Sequence, residues 1–109
     1  MYEQIHTEER EGFEIEFAAA PEDLSPRGEF MTEDGSDDEE TIAKIQSGDY
    51  AWFVARVTAS KAGVVLGTDY LGACCYDNPS DFVEQSDYYE DLVAEAISQA
   101  RAKLAELAS

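Results

Sequence analysis

A chain of 109 residues, 44% of them hydrophobic, has the length and composition of one folded domain, residues 1–109. Its 25 acidic and 7 basic residues give a formal net charge of -18 at pH 7, which disfavours nucleic acid and anionic membranes as direct partners and favours basic proteins. No apolar run reaches the roughly 20 residues that span a bilayer, and the amino terminus has no signal-peptide pattern, so we expect a cytoplasmic protein.

The first predicted element is a strand over about residues 12–20. Apolar residues alternate with glutamates in Phe13-Glu14-Ile15-Glu16-Phe17, which is the pattern of a half-buried strand. A loop with two prolines follows over residues 21–28. The preceding residues, which include the only histidine, His6, are expected to be peripheral to the fold.

An acidic stretch, residues 33–40, is predicted to run into a short helix. Ser36 followed three residues later by Glu39 has the spacing of a capping box, and negative charge is favoured at a helix N-terminus. Ile42 is expected to be buried, and Gly48 is expected to end the helix.

A hairpin is predicted next. Its first strand covers Tyr50–Ala59, its second begins at Val64 and runs to about Tyr76, and residues 60–63 form the turn. Gly67 and Gly72 within the second strand indicate a bulge or a close approach of another backbone.

The chain ends in two predicted helices. Asn78 is expected to cap a short helix that ends near Glu84, with Pro79 in its first turn. Ser86 is expected to cap a long helix from about Asp87 to Leu107.

These elements predict an α+β fold, in which an antiparallel three- or four-stranded sheet packs against the long C-terminal helix, with one or two short helices. Apolar periodicity also predicts the main core residues. They are Phe13, Phe17, Phe53, Val57, Val93, Ile97 and Leu104.

The acidic residues are unevenly distributed along the chain. Residues 1–40 have a net charge of -13 and residues 77–91 a net charge of -6, whereas residues 41–76 and 92–109 are nearly neutral. Adaptation to high salt would spread acids over every exposed face, so this clustering favours a dedicated binding surface, although a halophilic habitat stays open as an alternative.

No motif of catalytic or metal chemistry is visible. The adjacent Cys74 and Cys75 are too close in sequence for ordinary disulfide geometry and lack a metal-binding spacing, so we expect both to stay reduced. His6 has no recognisable nucleophile pattern beside it, and residues 33–40 lack the ligand order of a calcium loop. We therefore expect a protein that is not an enzyme and needs neither a cofactor nor a metal.

Eight carboxylates are the candidate partner-binding residues. They are Asp37, Asp38, Glu39, Glu40, Asp87, Glu90, Asp91 and Glu95. On a helix Asp87, Glu90 or Asp91, and Glu95 recur at three or four residues, about 6 Å apart along the axis, whereas duplex DNA carries one charge per roughly 1.7 Å. One helical ridge is too sparse to imitate a duplex, so the hypothesis requires both acidic segments to lie on one side. The alternative is a solvated helix face.

Three stretches of the chain, Val57–Gly63, Tyr70–Tyr76 and Tyr88–Val93, look like small uncharacterised proteins of phages and mobile elements. In size and charge the chain also resembles the anti-CRISPR and anti-restriction proteins that such elements carry. That resemblance implies an inhibitor that works in the cytoplasm of a bacterial host. It transfers no functional residue to this sequence.

The preferred hypothesis is a non-enzymatic DNA mimic whose carboxylates occupy the basic nucleic-acid site of a defence protein, such as a Cas effector or a restriction enzyme. The main alternative is an acidic protein–protein interaction adaptor or regulator that binds through its sheet face and Trp52. An enzyme is the weakest of the three classes.

Overall fold

A computed structural model describes residues 1–30 and 32–108. Its elements in chain order are β1 (Glu3–Arg10), β2 (Phe13–Pro21), α1 (Glu39–Ser47), β3 (Ala51–Lys61), β4 (Val64–Tyr76), α2 (Asp81–Gln85) and α3 (Tyr88–Ala108). The strands form one antiparallel sheet in the order β1-β2-β3-β4, with each strand beside its neighbour in sequence. The predicted α+β architecture is confirmed, with four strands.

Strand β1 is the element that the sequence pattern did not locate. It pairs with β2 from Glu3 opposite Ala19 to Arg10 opposite Phe13. Six of its eight residues are charged or His or Gln, and Ile5 is its single aliphatic side chain, so no apolar alternation identifies it. It is stable as an edge strand because one of its faces pairs polar side chains with α3, as described below.

Helix α1 begins later than the capping-box pattern predicts. Its N-cap is Asp38, whose carboxylate accepts hydrogen bonds from the Thr41 amide (3.3 Å) and hydroxyl (2.9 Å). Ser36 is not the cap, because its hydroxyl and amide both donate to Asp34 instead. The predicted stop is confirmed: Gly48 has a φ of 88° and donates its amide to the last turn.

Helix α2 also begins later than predicted, at Asp81. The carbonyl groups of Asn78 and Pro79 accept the amides of Asp81 and Phe82, so these two residues form the turn that precedes the helix. The Ser86 hydroxyl accepts the Tyr88 amide (2.9 Å), in agreement with its predicted capping role. Within residues 1–30 and 32–108 no helix, α3 included, is long and apolar enough to cross a membrane.

The core lies between α3 and the face of the sheet that α3 covers. At its centre the rings of Phe17 and Phe82 are 5.2 Å apart, and Tyr89 packs against both. Six of the seven predicted core residues are buried, and Leu104, near the end of α3, is half-buried against the cluster. The apolar periodicity therefore identified the correct faces.

Gly67 is the point of closest approach between β4 and α3. A Cβ atom at Gly67 would lie 2.0 Å from the carbonyl oxygen of Ala96, which leaves no room for any side chain. The strand register shifts next to Gly67, between Ala59 and Ser60 of β3, and again opposite Gly72. The close approach predicted for these glycines is confirmed at Gly67.

The molecule is elongated, with extents of 55 × 23 × 23 Å. Its radius of gyration is 16.3 Å, whereas a compact chain of this length would have about 13 Å. Residues 22–30 and 32–50 form a lobe at the end of the sheet where β2 stops and β3 starts. Trp52 joins this lobe to the sheet: its indole N–H donates to the Leu24 carbonyl (2.8 Å), and its ring packs edge-on against Phe30.

The outer edge of β4 has side-chain partners for its backbone. The Thr68 amide donates to the Gln99 side-chain oxygen of α3 (3.0 Å), and the Tyr70 amide donates to the carboxylate of Asp69 (3.0 Å). These two amides point away from β3 and are nonetheless satisfied.

Candidate binding surfaces

The four candidate carboxylates of residues 37–40 are engaged inside the lobe. Arg27 binds Glu39 with both terminal nitrogens and reaches Asp37 at 3.3 Å, and the Gly28 amide also donates to Asp37. Asp38 caps α1, and Glu40 is 3.9 Å from the ammonium group of Lys44. Local cations and amides thus neutralise part of the charge of this segment.

Asp34 fixes the loop before α1. Its carboxylate accepts the hydroxyls of Ser36 and Thr32, each at 2.5 Å, and the Ser36 amide at 3.1 Å. These hydrogen bonds lower the pKa of Asp34 to about 2, so the group is ionised throughout the neutral range.

The second acidic segment, residues 77–91, contains no lysine or arginine. Glu90 has a cation from elsewhere, Arg10 of β1, at 2.5 Å. Asp87 and Asp91 are exposed and have no hydrogen-bond or ion-pair partner within residues 1–30 and 32–108. These two carboxylates are the candidate residues that the fold leaves open to a partner.

The two acidic segments, residues 33–40 and residues 77–91, follow strands that stop at the same end of the sheet. In an antiparallel order, β2 and β4 end where β3 begins, so residues 22–50 and 77–87 both leave the sheet there. A cleft of about 290 Å³ lies at this junction, lined by Tyr50 from one connection and by Asp77 and Gln85 from the other.

Along α3 the candidate carboxylates divide between two sides. Glu90 reaches Arg10 on β1, whereas Glu95 accepts a hydrogen bond from Gln99, the residue that holds the edge of β4. Asp87, Asp91 and Glu95 are spaced by four residues and share one ridge, from which Glu90 is set apart.

A partly buried polar network joins β1 to α3, and its centre is Glu8. The Glu8 carboxylate accepts the Tyr89 hydroxyl (2.7 Å) and the Arg10 guanidinium (2.6 Å), and lies 3.0 Å from the Nε2 atom of His6. Burial alone would raise the pKa of Glu8, but the hydrogen bonds from Tyr89, Arg10 and His6 lower it overall. Burial, and then the bond to Glu8, raise the pKa of Tyr89.

Every member of this network is satisfied by another, so the cluster resembles a structural clamp more than a reactive site. His6 was expected to be peripheral, yet it is part of the clamp. The signal in the sequence that could have revealed β1 is the alternation of His6, Glu8 and Arg10. These three residues pair across the strands with Phe17, Ile15 and Phe13, respectively.

Replacing Tyr89 with phenylalanine should destabilise the protein by about 1–2 kcal/mol, because Glu8 then loses a buried donor while the ring packing is kept. Urea unfolding at pH 7 measures the change. The exposed Tyr88→Phe variant is the matched control and should unfold like the unmodified protein. Equal stability of the two variants would contradict the clamp.

The two cysteines are free, with Cys74 buried and Cys75 half-buried. Burial raises the pKa of the Cys74 thiol to about 11, and burial followed by the charge of Asp77 raises the pKa of Cys75. Both thiols are therefore poor nucleophiles at neutral pH.

Alkylation by iodoacetamide should be slow at pH 8, where about one Cys74 in a thousand is a thiolate, and should accelerate about tenfold per pH unit toward 11. Mass spectrometry of timed samples measures both rates, with a free cysteine peptide as the reference. A Cys74 that reacts as fast as that peptide at pH 8 would contradict this prediction.

In the described part of the chain no group of three or more His, Cys, Asp or Glu side chains is placed to hold a metal ion. Comparisons of the chain with protein-family models, with curated proteins and with solved structures found no match.

Proposed function

We propose that the protein is a non-enzymatic inhibitor that binds the basic nucleic-acid site of a bacterial defence protein and displaces the nucleic acid. Its internal charge balance supports this proposal. Five of the seven basic residues are already in ion pairs with carboxylates of the same chain. The remaining negative charge is therefore available to an external basic surface.

The observation that carries the proposal is that Asp87 and Asp91 are open to a partner. Both are exposed, both lack a partner in the described residues, and they lie one helical turn apart at the start of α3. They give a cationic partner two unpaired carboxylates to bind at the start of α3.

Substitution of phosphates by carboxylates has a clear thermodynamic signature. Each ion pair that forms at the interface releases counterions, so affinity falls steeply as salt increases. In the alternative, an adaptor that binds through its sheet face and Trp52, the Trp52 side chain is less accessible to a partner, because it is engaged with Leu24 and Phe30.

The proposal is tested by a pull-down from bacterial lysate at about 50 and 200 mM salt, followed by competition between the protein and duplex DNA on each purified partner. We expect a DNA-binding partner that is retained at low salt only, and mutual displacement with DNA. A partner that binds DNA and this protein at the same time, or that ignores salt, would count against the proposal.

A further inference from the structure

Strand β1 is an edge of the sheet, and its hairpin turn determines which of its backbone groups face outward. The two residues between β1 and β2 both have a positive φ (55° and 86°), which is the geometry of a type I′ turn. The pair that closes such a turn, Arg10 and Phe13, exchanges two backbone hydrogen bonds, and the pairs alternate from there. The amides and carbonyls of Thr7 and Glu9 therefore point away from β2.

The opposite edge of the sheet supports this alternation. Continued through the registers of β2 and β3, it makes the amides of Thr68 and Tyr70 point outward from β4. Both amides do point outward, because they donate to the side chains that cover that edge. The direction assigned to the backbone groups of β1 therefore agrees with hydrogen bonds three strands away.

The outward groups of β1 are open. In the described part of the chain no side chain or backbone group binds the amides or carbonyls of Thr7 and Glu9, and both residues are exposed. The register with β2 shifts between Gln4 and His6, so the straight part of the edge covers residues 6–10. An extended segment of similar length could hydrogen-bond to two amides and two carbonyls there.

The side chains along this edge favour a basic segment. Glu9 lies on the face away from α3, directly opposite Glu14 of β2, and neither carboxylate has a partner in the described residues. Like charges that face each other destabilise a sheet, whereas a lysine or arginine beside Glu9 would form a favourable cross-strand pair. On the other face Arg10 is already bound by Glu8 and Glu90, so it opposes a basic segment little.

A second copy of this chain fits the edge less well. It would align two strands that each carry Glu3, Glu8 and Glu9, on molecules that each have a net charge of -18. Charged side chains on an edge strand protect it against pairing with itself, and here they leave pairing with a strand of opposite charge favourable.

We propose that the outer edge of β1 binds an extended basic segment of another protein. The segment adds a fifth strand to the sheet and places a lysine or arginine beside Glu9. The edge does not involve Asp87 or Asp91, and the two sites serve different partners, so this proposal is independent of the proposed function.

Amide NMR of the full chain at low salt tests the proposal with three short capped peptides. The first alternates threonine and lysine, the second is the same peptide with its central amides N-methylated, and the third has glutamate in place of lysine. We expect the first to bind saturably and to slow hydrogen exchange at Thr7 and Glu9, but not at Glu8, whose amide already pairs with β2. The N-methylated peptide should bind about tenfold more weakly or less, and the acidic peptide should not bind.

Two variants separate the backbone of β1 from its charge. Thr7→Pro removes an outward amide that β2 does not use and should weaken binding of the first peptide about tenfold, while slow exchange at Glu8 verifies that β1 still pairs with β2. Glu9→Gln should weaken binding several-fold. Glu33→Gln makes the same charge change outside β1 and should bind normally.

Three results would overturn the proposal. Equal binding of the N-methylated peptide would mean that charge alone attracts the probe, and equal binding of the acidic peptide would mean that the edge does not select basic segments. Slowed exchange at Thr7 and Glu9 when the protein alone is concentrated would identify a second copy of the chain as the occupant. Because the N-methylated peptide is tested on the unmodified protein, the test remains decisive even if Thr7→Pro fails to fold.

Discussion

Replacing Gly67 with alanine is expected to destabilise the protein by about 3 kcal/mol, the upper end of the usual cost of overpacking. The new Cβ would meet the carbonyl oxygen of Ala96 at 2.0 Å, and a backbone atom cannot move aside as a side chain can. Relief requires α3 to lift from β4, which exposes buried residues such as Ala96 and Ala100. The melting temperature should fall by roughly 10 °C or more.

Gly72→Ala is the matched control in the same strand. Its Cβ would meet only a carboxylate oxygen of Glu22, at 3.0 Å, so relief costs at most the hydrogen bond that this oxygen accepts from the Ala73 amide and moves no backbone of α3. Thermal unfolding of both variants should therefore show a much larger loss at Gly67. A Gly67→Ala protein as stable as the Gly72→Ala protein would mean that α3 does not pack on β4 in this way.

Reversing Asp87, Asp91 and Glu95 to lysine is expected to abolish binding to a basic partner. The change alters one ridge of α3 by six charge units and leaves the buried stripe of the helix untouched. Lysines near a helix N-terminus cost about 0.3–1 kcal/mol each, so the variant should still fold, which circular dichroism can verify. Affinity for a partner isolated at low salt should fall by more than about a hundredfold, as expected when three favourable charge pairs become repulsive.

A second triple variant separates the ridge from net charge. Glu3, Glu9 and Glu14 are exposed and lie on β1 and β2, outside the lobe and outside residues 77–91, and their reversal to lysine makes the same six-unit change. This control should retain most of the affinity. If the two triple variants lose affinity equally, binding depends on overall charge, and the α3 ridge is not a dedicated surface.

Much of the fold follows from local patterns, because burial imposes a period on the sequence. Alternation identified β2, and the spacing of apolar residues identified the buried stripe of α3. The patterns did not identify β1, because its polar residues face the helix side of the sheet and form the clamp with Tyr89. They also misplaced the cap of α1 at Ser36, because the Ser36 hydroxyl donates to Asp34 instead. Both outcomes depend on contacts that local spacing does not encode.

The candidate sites were less predictable than the fold. Residue types marked the acidic segments, but the engagement of Asp37 by Arg27 depends on the path of a loop. The register between β1 and β2 decides that Glu9 lies opposite Glu14. A shift of one residue would have put these carboxylates on the other face.

The covered amides of Thr68 and Tyr70 determine how β4 meets other molecules. A strand from a second chain would have to displace the side-chain oxygens of Gln99 and Asp69 before it could pair with this edge. Register shifts on both sides of these residues bend the edge further. A second chain should therefore extend the sheet poorly at β4, and a partner that meets this edge must recognise its side chains.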